Sequence, residues 1–179
     1  MRTAARHLSL LLLALGWASG CVVEGTLDPS GGGQLTLRYR LVSVANLEQM
    51  KARLASPEVT VTEASMTPDK RATFGLAFRD VRALPTAPAL ASTRVALADE
   101  ADGLRTLTVT LTGQPMTLPA PYVEYLGREL RLTLTVPGDV VRSNASTVAG
   151  RAVTWVRPIV DVQQQAATTF SVTYRPAGG

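Results

Sequence analysis

Every-other-residue alternation of apolar and polar side chains runs through most of this chain and constrains its fold more than any other feature. Leu35, Leu37, Tyr39 and Leu41 alternate with Thr36, Arg38 and Arg40, and Phe74, Leu76 and Phe78 share one parity against Thr73, Gly75, Ala77 and Arg79. The pattern returns at Leu107, Val109 and Leu111, at Leu130, Leu132, Leu134 and Val136, and at Phe170, Val172 and Tyr174. Successive strand side chains point to opposite faces, so period two means strands with one face buried and a Thr/Arg face in water. Shorter strands are expected at Val22–Asp28, Glu58–Glu63, Arg94–Ala98 and Ala152–Arg157.

The breaks in the pattern are as informative. Glycines at 31–33 reverse the chain after the first short strand, and Asp99-Glu-Ala-Asp-Gly103 joins two later strands. One helix is expected after Asn46, which can cap it, with Leu47, Met50 and Leu54 on one apolar face and Pro57 beyond its end. The expected fold class is therefore α+β, mainly β: an antiparallel sheet of about eight strands with one short helix packed on it, in a single domain over residues 21–179 with a flexible C-terminal tail. Two segments do not alternate, 80–91 and 113–127. The second carries Tyr122 and Tyr125 among three prolines, which makes it a candidate ligand or partner loop.

Residues 1–20 read as an export signal. Arg2 and Arg6 form a basic start, Leu8 to Leu15 an apolar run too short to span a bilayer, and Ala18-Ser19-Gly20 leads to Cys21. Ala-Ser-Gly-Cys resembles the bacterial lipobox, which implies a diacylglyceryl group on the Cys21 sulfur, cleavage before Cys21 and an N-acyl chain on the new amine. Several acyl chains exceed the two-signal threshold for stable anchoring. Val22 stands where an inner-membrane retention signal would put Asp, so an outer-membrane location is favoured in a Gram-negative host. The expectation is an exported, envelope-bound chain held to the membrane by this lipid.

Cleavage also changes the chemistry available. The only histidine, His7, leaves with the signal, and the only cysteine, Cys21, is consumed as a thioether. That excludes Ser-His-Asp and Cys-His catalysis, His- or Cys-ligated metal and any disulfide framework. No further cofactor, no metal and no enzymatic activity are expected. A paired-carboxylate hydrolase needs no histidine, but nothing brings two carboxylates together in the sequence. Loss of Arg2 and Arg6 leaves 16 basic against 14 acidic residues, with the arginines scattered singly. A nucleic-acid partner is not expected from that distribution.

From Val136 the chain reads VPGDVVRSNASTVAGRAVTW. It is similar to a signature of the LppM-type domain of bacterial lipoproteins at Pro137, Gly138, Val140, Asn144, Gly150, Val153, Thr154 and Trp155. Ala145 stands where that pattern puts glycine after the turn Asn. The resemblance implies an envelope lipoprotein with a mixed α+β domain and a lipid or other apolar ligand. It supplies no catalytic residues. Read physically, the motif is a hairpin with Pro137-Gly138 at one end and Trp155 packed on the core. The alternative function is a structural or assembly lipoprotein acting through protein partners.

Overall fold

The computed structural model describes residues 21–40, 47–68, 70–113 and 129–177. The chain is mainly β with little helix, and the eleven strands among the described residues divide between two sheets. The first sheet takes β1 (Cys21–Leu27), β2 (Gly33–Arg40), β3 (Val59–Met66), β4 (Arg71–Phe78), β7 (Glu129–Thr135), β9 (Thr147–Ala149) and β10 (Ala152–Pro158), in the order β3-β4-β2-β1-β7-β10-β9. The second takes β5 (Thr93–Asp99), β6 (Arg105–Thr112), β8 (Gly138–Ser143) and β11 (Ala167–Pro176), in the order β5-β6-β11-β8.

All the expected strands are present, and the expected helix is α1 (Leu47–Leu54). The capping residue Asn46 lies outside the described residues, as does the signal segment 1–20. Two features go beyond the alternation. The strands form two sheets rather than one, and β1 pairs in parallel with β7 while pairing antiparallel with β2. Period two reports which side chains are buried, not which strand lies beside which, so neither feature was visible in it.

In the strands that alternate, the apolar parity faces the same interior. Across the first sheet, Val23 lies level with Leu37 and Leu132, and Leu132 with Trp155. Across the second, Val109 lies level with Val95 and Phe170. The residues 80–91 that break alternation form 3₁₀ turns, Val81–Thr86 and Pro88–Leu90, which bury Val81, Leu84 and Ala89. Asp80 opens the first turn by accepting from the Arg82 amide. These turns and α1, whose Leu54 is buried, fill the layer beside the smaller sheet.

The expected hairpin, with Pro137-Gly138 at one end, is placed differently in the structure. Pro137-Gly138 carries the chain out of β7 in one sheet and into β8 in the other. The hairpin of that motif is instead β9–β10, turned by Gly150 at φ +60°. Asn144 is not a left-handed turn residue either, since only Lys70 and Asp102 among the described non-glycine residues have positive φ.

Candidate functional site: an apolar cavity between the sheets

The site is built from what the inner faces lack. Gly25 sits at the centre of β1 between Val23 and Leu27 and contributes no side chain, so Leu35 folds over it. The facing strands β5 and β6 offer only Thr93, Val95, Leu107, Val109 and Leu111, all short of an aromatic ring. The two sheets stand apart around a cavity of about 100 Å³. From the larger sheet it is lined by Val23, Leu27, Leu35, Leu37, Phe78, Leu130, Leu132, Leu134 and Trp155, and from the turns by Val81, Leu84 and Leu90. Among the described residues, no charged side chain lines it.

Burial varies around the lining: Leu27, Leu37, Leu107, Leu130 and Leu134 are buried, while Leu35, Thr93, Val109, Leu111 and Leu132 are half-buried. β1 begins at Cys21, beside the buried Leu130 of β7.

Cys21 is not a loose tether before the fold. It is the first residue of β1, level with Tyr39 of β2 and Leu130 of β7, and it is only 4% exposed. Its side chain shares the inner face with Val23 and Leu27, two residues that line the cavity. Burial pushes the Cys21 thiol from an ordinary 9.0 up to about 12. Burial also raises the neighbouring Tyr39 phenol, whose hydroxyl is enclosed without a hydrogen-bond partner among the described residues. The parity Cys21-Val23-Leu27 was available in the sequence as a signal that Cys21 points inward.

A prediction about reactivity follows from the raised thiol. In the unlipidated, folded chain, alkylation of Cys21 by iodoacetamide at pH 8 should be about a thousandfold slower than in urea, because the thiolate is the nucleophile. Because the folded value is the higher one, the Cys21 contribution to stability is complete below pH 9 and is lost as pH rises from 9.0 to about 12. Equal alkylation rates with and without urea would show that Cys21 is not enclosed.

The 136–155 motif forms the wall beside the cavity. The Trp155 ring meets Phe170 edge-on at 5.8 Å between centroids, joining the two sheets. Its indole N–H donates to Asn144 Oδ1 at 2.7 Å, and the same oxygen accepts the Ser171 amide at 2.8 Å. The Asn144 amide group donates in turn to the Thr169 carbonyl at 2.9 Å. One carboxamide thus holds β10 to β11, a role that sequence reading assigned to turn geometry. Of the motif residues, Asn144 and Trp155 are joined directly, while Pro137-Gly138 and Gly150 lie where the chain changes direction. Tyr122 and Tyr125 lie outside the described residues.

The acidic run 99–102 is the expected solvated turn. Asp99 pairs with Arg105 at 2.6 Å, and Glu100 accepts from Thr106 and, at 2.6 Å, from Arg142. Among the described residues no cluster of three potential metal ligands forms, and no helix is long and apolar enough to cross a membrane.

No family model matches the chain, and no curated protein does. Among solved structures, the fold is similar to the NMR structure of the folded domain of the LppM protein of Mycobacterium tuberculosis. The superposition has a TM-score of 0.53 and 14% sequence identity, and covers 88% of this chain and 91% of that one.

Proposed function

We propose that this chain is a lipid-anchored, non-enzymatic protein of the bacterial cell envelope whose inter-sheet cavity takes a single acyl chain or similar apolar group. The observation that carries the ligand is the cavity itself, set between the two sheets and lined almost wholly by apolar side chains. Dry apolar cavities of roughly 150 Å³ take benzene. The space here takes a short run of methylenes, with the rest of the chain outside it. Each methylene transferred from water contributes about 0.8 kcal/mol. The LppM-like signature and the LppM-like fold support the envelope-lipoprotein part of this reading.

The anchor rests on the lipobox-like Ala18-Ser19-Gly20-Cys21. The Cys21 sulfur displaces the phosphate headgroup of a phospholipid from its glyceryl carbon. A C–S bond forms, and the headgroup leaves with the C–O electron pair while the thiol proton is lost. Water then hydrolyses the Gly20–Cys21 amide, and the freed amine takes an acyl group from a phospholipid ester. The attacking species is a thiolate, which the folded domain suppresses, so these steps belong to the chain before β1 docks. Val22 after the cysteine favours an outer-membrane location in a Gram-negative host.

The test of the ligand uses residues 21–179 carrying Cys21→Ala, titrated with cis-parinaric acid, an 18-carbon fluorescent fatty acid. Saturable one-to-one binding, with energy transfer from Trp155, is the expected result. Non-saturable uptake, or none, would remove the cavity as a ligand site. It would leave the alternative, an assembly lipoprotein acting through protein partners, which crosslinking from Tyr122 and Tyr125 in intact cells would address.

A further inference from the structure

Cys21 is the residue that should carry the membrane anchor, yet its side chain starts inside the domain. β1 is hydrogen-bonded on both sides from its first residue, to β2 and to β7. Turning Cys21 outward would break both ladders there, and no spacer residue stands between Cys21 and the strand. The next inward residue, Val23, already lines the cavity, and a two-residue step along a strand is about 7 Å. The glyceryl carbons and ester of a lipid on the Cys21 sulfur cover about that distance, so that an acyl chain begins beside Val23.

A second observation lies beside the attachment point. Tyr39 is level with Cys21 across the β1–β2 ladder and therefore on the same face. Its hydroxyl is buried and finds no partner among the described residues, and buried donors normally have one. A diacylglyceryl group places ester carbonyl oxygens a few bonds from the sulfur. Such a carbonyl is an acceptor of the kind that Tyr39 lacks.

We infer that the cavity is occupied by one chain of the protein's own Cys21-linked lipid, with the Tyr39 hydroxyl donating to a glyceryl ester, while the remaining chains stay in the bilayer. The inference rests on the proposed lipidation and on the cavity as an acyl site, and adds the identity of the occupant. It also makes the site self-regulated, because any free lipid has to displace the anchor chain to enter. The end of the domain that carries Cys21 then lies against the membrane.

Trp155 makes this testable in the native protein. With Trp17 removed in the signal, Trp155 is the sole tryptophan, and it lines the cavity two strands from β1, about 10 Å across the sheet. Lipidated protein is purified from cells fed 9,10-dibromostearate, with bromination of the residue 21 lipid verified by mass. Bromine quenches indole emission at contact. Trp155 emission should fall to less than half that of the unbrominated protein, and Tyr39→Phe should restore part of it. Unchanged emission with verified bromination overturns the inference. So does equal quenching by brominated bystander phospholipid around an unbrominated anchor, and unchanged quenching in Tyr39→Phe removes the ester hydrogen bond. If Cys21→Ala binds cis-parinaric acid while the brominated anchor leaves Trp155 bright, only the self-occupancy fails. If residue 21 carries no lipid at all, the anchoring proposal and this inference fall together.

Discussion

Trp155→Ala should lower the stability of the domain by about 3–5 kcal/mol, the usual cost of removing a buried aromatic side chain from a core. Trp155 is 2% exposed, packs edge-on against Phe170 at 5.8 Å, and is the aromatic contact between the two sheets. In a domain of this size each kcal/mol lowers Tm by roughly 2–4 °C, so the melting point should fall by on the order of 10 °C. Urea unfolding followed by far-UV circular dichroism is the suitable measurement, because the variant loses its fluorescent probe. Asn144→Ala should cost less, about 1–2 kcal/mol, since Asn144 is exposed and water can reach the groups it leaves behind. The two should not add, because Asn144 Oδ1 accepts the Trp155 indole N–H at 2.7 Å. A Trp155→Ala loss below about 1 kcal/mol would mean that this ring does not hold the sheets together.

Much of this fold was legible because burial and strand parity are local. Leu130, Leu132 and Leu134 announce a strand with one buried face, and β7 runs where they lie. The same residues say nothing about β1 as a parallel neighbour, because such pairing depends on contacts more than a hundred positions apart. The division into two sheets was hidden for a similar reason. It turns on Pro137-Gly138, the expected end of a hairpin, which is a passage from one sheet to the other. Short strands were the other loss: β9, three residues with all side chains exposed, has no buried face to create alternation. The cavity belongs to this non-local class, being space enclosed by side chains that come from strands of both sheets. Cys21 divides the two classes. Its place after Ala-Ser-Gly reads from sequence, while its enclosure between Tyr39 and Leu130 is a product of pairing.

Two glycines of the 136–155 motif should respond very differently to alanine, because each is glycine for a different reason. At Gly138 the backbone does not have positive φ, but a Cβ would stand 1.9 Å from the Arg175 carbonyl oxygen, 2.7 Å from its carbon and 2.9 Å from Pro176 Cα. All three are main-chain atoms of β11, which cannot swing aside as a side chain can. Gly138 pairs with Pro176, and next to it Ala177 donates to the Pro137 carbonyl at 2.9 Å. Relief therefore requires β8 and β11 to separate where the chain changes sheets. Gly138→Ala should cost about 3 kcal/mol or more, at or beyond the upper end of overpacking effects. At Gly150 the φ is +60° and nothing lies within 4 Å of the added Cβ, so the only cost is left-handed backbone, about 1–2 kcal/mol. Chemical denaturation of both variants separates the causes. If Gly150→Ala proved the more damaging, the close approach of β8 to β11 would not be what glycine 138 serves.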